Sequence, residues 1–221
     1  VMRMTRRRLL VGGVLVLLAG ALAYAFRAGP TLDGSEEVDG ALPTDKDLDG
    51  YASIGGVVGV LSPPGGYRNE KGKALLTGSQ LDAQCRTYRK EKDGWACRGL
   101  RGMGMTGFVN TSDVNSRLGS FVLAYKDDAA AGTAFRRMVN ESRDDLHAEE
   151  QKEPDVGDES RSFRLESAKG SVVVLRCGSV VAQVLSNNGY GYSGDEGAGG
   201  KDADPIRMWA DRQAEKIEEA L

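Results

Sequence analysis

Four side chains carry most of the chemical potential of this chain: Cys85, Cys97, Cys177 and its one histidine, His147. Cys85 and Cys97 are too far apart for a CxxC redox pair or a zinc knuckle. In an oxidising compartment they are natural partners, closing a loop of about 13 residues worth about 3 kcal/mol. Cys177 lies in Leu175-Arg176-Cys177-Gly178-Ser179 between two valine-rich runs, which places it at or near a hairpin tip. It is expected to be a half-buried, inert thiol; the alternative is an intermolecular disulfide or a reactive thiol. A zinc site would have to be built mainly from carboxylates, which zinc rarely accepts. His147 sits among Asp144, Asp145 and Glu149 with no Ser or Cys nucleophile beside it, so it reads as a solvated helix-end residue.

Three glycine or aspartate patterns resemble ligand loops. Asp45-Lys46-Asp47-Leu48-Asp49-Gly50 matches the first half of a calcium loop, but the position that should hold a bidentate Glu is Gly56, so an acidic turn is expected. Gly102-Met103-Gly104-Met105-Thr106-Gly107 fits the dinucleotide fingerprint by letter. That fingerprint needs a helix after it, whereas Phe108-Val109 continues as strand, so a glycine-rich turn or bulge is expected. Residues 197–201 fail the P-loop pattern, with Asp195 in place of its first Gly and Asp202 in place of Ser/Thr. Tyr190 and Tyr192, in the glycine-rich stretch 187–202, are the candidate contact residues for a ligand or partner. No catalytic residue, cofactor site or metal site is expected. Paired carboxylates are common, yet none is marked by an apolar neighbourhood; an envelope hydrolase is therefore the alternative and not the leading reading.

Around these residues the chain of 221 is ordinary in composition, 28% charged and 40% hydrophobic. Net charge is −3; without Arg3, Arg6, Arg7 and Arg8 it is near −7, a field that repels nucleic acid. Residues 9–26 hold no charge and follow Arg6-Arg7-Arg8, which predicts a transmembrane anchor or signal helix with residues 1–8 cytoplasmic. A retained single-pass anchor in the cell membrane is favoured over cleavage near Ala25 and secretion, because the apolar run passes straight through the small-residue sites. Residues 27–43, rich in Gly, Pro, Asp and Glu, read as a flexible linker, leaving 44–221 as an extracytoplasmic domain.

Within that domain, residues 80–90 are weakly helical, 95–100 and 103–109 are short strand-like runs, and 118–126 is a clear strand. Asp127-Asp128 cap a helix to about residue 146, with Ala131, Phe135, Met138 and Val139 on its buried face. Strands follow at 160–165, 171–176 and 180–185, the last two as a tight hairpin. A final helix from about Asp204 puts Ile206, Trp209, Ala210, Gln213, Ile217 and Ala220 near one stripe. The expected class is α+β: an antiparallel sheet with two main helices packed on one face.

Leu42-Pro43 with Leu48-Asp49-Gly50-Tyr51, the early cysteine pair, Tyr125-Lys126-Asp127-Asp128-Ala129-Ala130-Ala131, Val156-Gly157-Asp158-Glu159-Ser160 and the 172–185 hairpin resemble actinobacterial secreted and lipoprotein-like domains. That group includes the PknH-type extracellular sensor domain. The resemblance, over about residues 42–221, implies an antiparallel sheet with helices and a cleft for an unidentified ligand. Those domains usually carry two disulfides, and three cysteines permit one. The function expected is a membrane-anchored, sensor-like domain that binds a small ligand or an envelope protein and is not an enzyme. The third reading is a structural homodimer linked through Cys177.

Overall fold

The structure, a computed structural model, describes residues 30–32, 34–54, 67–68, 73–88, 96–144, 148–152, 154–165, 170–188 and 205–221. A short helix α1 (Ser35–Gly40) and a 3-10 turn (Asp45–Asp47) lead into β1 (Tyr51–Ser53), β2 (Tyr67–Arg68) and β3 (Lys73–Thr77). Then come α2 (Gly78–Tyr88), β4 (Leu100–Asn110), β5 (Ser116–Tyr125), α3 (Asp128–Asp144) and β6 (Glu149–Glu150). The chain closes with β7 (Glu159–Leu165), β8 (Gly170–Cys177), β9 (Val180–Asn188) and α4 (Pro205–Ala220). The strands form one antiparallel sheet in the order β2-β3-β4-β5-β9-β8-β7-β6, and β1 also pairs with β4.

Side chains alternate across a strand, so each strand feeds two cores. Val173 and Leu175 of β8 join one core with Val38, Leu42, Ile206, Trp209 and Ile217. Val172 and Val174 join the other with Leu81, Cys85, Ala131, Phe135 and Met138. The α+β class and the antiparallel sheet are as expected, but the helices are not on one face: α1 and α4 cover one side, α2 and α3 the other. The apolar run Val172-Val173-Val174-Leu175 carries the reason, because a strand buried on both faces shows no polar alternation. The two-sided burial was therefore written in the hairpin.

Of the linker expected over residues 27–43, residues 27–29 lie outside the described residues, and the described part from residue 30 is packed into the domain. Leu32, Val38, Ala41 and Leu42 are fully or almost fully buried, so the folded domain already includes the chain from residue 30. This segment shows little periodicity because its only regular element is the six-residue helix α1, too short to repeat a stripe. The sheet makes room for it through glycine. A Cβ on Gly102 would sit 2.6 Å from Val38 Cγ2, and one on Gly104 2.8 Å from Leu42 Cδ1 and 2.9 Å from Val38 Cγ1. The dinucleotide look-alike is thus neither a turn nor a phosphate cradle. It is the interior of β4, with a register shift only between Leu100 and Gly102, and two of its glycines seat α1.

Local signals place α3 and the β8–β9 hairpin as expected, whereas the strand-like runs 95–100 and 103–109 prove to be a turn at 96–99 and the one strand β4, and β1, β2, β3 and β6 were not expected. Asp127 Oδ1 accepts the Ala130 N–H at 2.7 Å and caps α3. Ala131, Phe135, Met138 and Val139 are buried on that helix. Cys177 pairs with Val180, so β8 and β9 are joined by Gly178-Ser179 alone, with Gly178 at φ 55° as the first residue of such a turn allows. Residues 9–26 lie outside the described residues; among those described, no helix is long and apolar enough to cross a membrane.

Candidate functional site

Strand pairing sets Lys73 of β3, Thr106 of β4 and Ser120 of β5 side by side. All three are buried on the face that α1 and α4 cover, where apolar residues would be usual. Ser120 donates its hydroxyl to Gln213 Oε1, and Gln213 Nε2 donates to the carbonyl of Ala41 at 2.7 Å. Lys73 Nζ donates to the carbonyl of Asp39 at 2.6 Å and meets its carboxylate at 3.2 Å. The strip therefore ties α1, the sheet and α4 in one register, the role that fully satisfied buried polar networks serve. Thr106 Oγ1 is the exception, with no hydrogen-bond partner among the described residues. A buried hydroxyl in that state costs about 1–3 kcal/mol. Thr106→Val is accordingly expected to raise the unfolding free energy by about 1 kcal/mol in urea titration. A loss of similar size would show instead that the hydroxyl is occupied, as by a buried water. Sequence reading missed this strip as a group. Its one signal was Gln213, a polar residue in the apolar stripe of α4.

At the end of the sheet where β8 turns into β9, a second cluster surrounds Cys177. Arg176 Nε donates to Glu159 Oε1 at 2.7 Å, Arg176 Nη1 lies 3.2 Å from Asp158 Oδ2, and Asp158 Oδ2 also accepts the Gly178 N–H at 2.7 Å. Cys177 beneath them is 3% exposed. Burial, reinforced by the carboxylates of Glu218 and Asp158, pushes its thiol up to about 12, so it stays protonated and unreactive at neutral pH. The expected half-burial is corrected to full burial. The alternative of a disulfide between two copies through Cys177 has no sulfur at the surface to form it.

Cys85 and Cys97, by contrast, are joined, with S–S 2.00 Å and Cα atoms 5.5 Å apart, at the edge of the α2–α3 core. Removing the bridge by Cys85→Ser with Cys97→Ser is expected to lower stability by about 3 kcal/mol, read as a lower urea midpoint. No family model, curated protein or solved structure matches the chain. Its function must therefore be read from its own residues.

The acidic turn at Asp45–Asp47 faces α4. Burial alone would raise the Asp47 carboxyl. The Thr44 N–H, Arg212, the Thr44 hydroxyl and Lys216 outweigh it and hold the group at about 2. Arg212 lies 2.6 Å and Lys216 3.4 Å from Asp47 Oδ1. Its oxygens are thus committed to clamping the N-terminal segment onto α4. Among the described residues, no three His, Cys, Asp or Glu side chains are placed to hold a metal. Tyr190, Tyr192, His147 and the stretch 197–201 lie outside the described residues.

Proposed function

We propose that the chain is a membrane-anchored, extracytoplasmic, sensor-like domain that binds a ligand or partner protein at the cell envelope without catalysing a reaction. The Cys85–Cys97 bridge carries the reading, since such bonds persist where the compartment is oxidising. The uncharged residues 9–26 behind Arg6-Arg7-Arg8 supply the route and the anchor. The resemblance to PknH-type sensor domains points the same way. Binding is favoured over hydrolysis because Asp47, against α4, and the neighbouring Asp158 and Glu159, beside the β8–β9 turn, are each engaged by a cation. Tyr190 and Tyr192 are the proposed contact residues, in the stretch between β9 and α4.

The test is fractionation with thiol tagging in intact cells. The protein is expected in the membrane fraction, degraded by protease added outside spheroplasts. Cys85 and Cys97 should take up a maleimide tag only after unfolding and reduction. Recovery from the cytosol with both thiols free would overturn the reading.

A further inference from the structure

We infer that the domain stands on the bilayer by one fixed end of its sheet, with the β8–β9 turn toward the lipid headgroups and the β4–β5 loop directed away into the envelope. This rests on the anchored reading above. All the decisive contacts are at one end. Ser179 Oγ donates to the carbonyl of Pro30 at 3.0 Å, and Leu32 is fully buried, so the chain enters the domain beside the β8–β9 turn. The registers Leu100↔Tyr125, Ala124↔Val180 and Cys177↔Val180 place that turn, the start of β4 and the end of β5 at the same end. A Cβ on Gly178 would lie 3.5 Å from Leu221 Cδ1, which adds the C-terminus of α4 to it. The opposite end holds Asn110, Ser116, Gly170 and Asn188.

Only Arg27-Ala28-Gly29 separate Phe26, the last residue of the apolar run, from Pro30. Four Cα-to-Cα steps reach at most about 14 Å. The eleven residues of β4 alone extend about 34 Å. A tether that short cannot let a body that long turn over. The near end stands off the bilayer instead of inserting, because it carries exposed charges of both signs, Asp155, Asp158 and Glu218 with Arg98, Arg101 and Lys126, whose burial in lipid would be costly. What a partner meets first is therefore the far end, including residues 111–115, where Val114 is 67% exposed.

The experiment uses the full chain in vesicles of phosphatidylcholine and phosphatidylglycerol carrying a nickel-chelating headgroup. Nitroxide labels are placed at Glu218→Cys or Val114→Cys, both exposed positions, while buried Cys177 stays unlabelled. Nickel-induced relaxation is expected to be several-fold stronger at 218 than at 114, and a long Gly/Ser insert after Gly29 should erase the contrast. Equal or reversed effects in vesicle-bound protein would overturn the orientation and leave the anchor standing. Failure to partition with vesicles would overturn both.

Discussion

Truncating Trp209 to alanine is expected to lower the unfolding free energy by about 4 kcal/mol, the scale of deleting a large buried aromatic together with the cavity it leaves. Trp209 is fully buried where α4 crosses the sheet. Its ring meets Phe108 edge to face, centroids 5.3 Å apart at 81°, a geometry that adds to plain area burial. Its Nε1 also donates to the carbonyl of Gly119 at 3.4 Å, a long bond that contributes little. Trp209→Phe separates the two effects: it keeps most of the apolar contact and should cost less than half as much. Urea denaturation with an unchanged slope provides the measurement. If Trp209→Ala unfolds at the wild-type midpoint, α4 is not packed on the sheet in solution, and the two-sided architecture is wrong.

That architecture shows which sequence signals were strong and which were silent. Periodicity located α3 and α4, because each buries one stripe against a flat sheet and exposes the rest. Asp127, just before α3, marked its start through a hydrogen bond spanning three residues, which is legible locally. Which face each helix takes is not a local property. Val172 to Leu175 announced burial on both sides, yet no residue of α3 or α4 says which side it will choose.

The N-terminal segment was harder still. Val38 and Leu42 are seated against Gly102 and Gly104, about sixty residues away in sequence, and a glycine's role in making room is invisible until the packing partner is known. The same holds for the polar strip. Lys73, Thr106 and Ser120 become neighbours only through the β3-β4-β5 register, and in sequence each looks like an ordinary surface residue. The disulfide was legible from loop length and compartment, whereas the burial of Cys177 was not. Gly157, in a stretch that looked like a family mark, lies over that thiol, where a Cβ would come 2.8 Å from Cys177 Sγ.

Gly157→Ala is the second large effect, again about 4 kcal/mol. Gly157 has φ 65°, in the left-handed region that costs an L-residue about 1–2 kcal/mol. Its absent side chain matters more. A Cβ there would lie 2.6 Å from the carbonyl oxygen of Arg176 and 2.8 Å from Cys177 Sγ, and such overpacking typically adds about 1–3 kcal/mol. Relaxation is blocked on both sides. The Asp158 N–H donates to that same Arg176 carbonyl at 2.8 Å, and the Asp158 side chain holds Gly178, so moving Gly157 outward breaks the β7–β8 end. Gly178→Ala is the matched control, with φ 55° but nothing nearer its Cβ than Leu221 at 3.5 Å, so it should show only the backbone cost. The difference between the two variants isolates the close approach over Cys177. A thiol reagent gives an independent reading: Cys177 should react slowly in Gly178→Ala, as in the parent chain, and quickly in Gly157→Ala, where the cover has been forced open. Equal unfolding midpoints and equal thiol reactivity in the two variants would mean that Gly157 does not seal Cys177 and that the thiol owes its protection to something else.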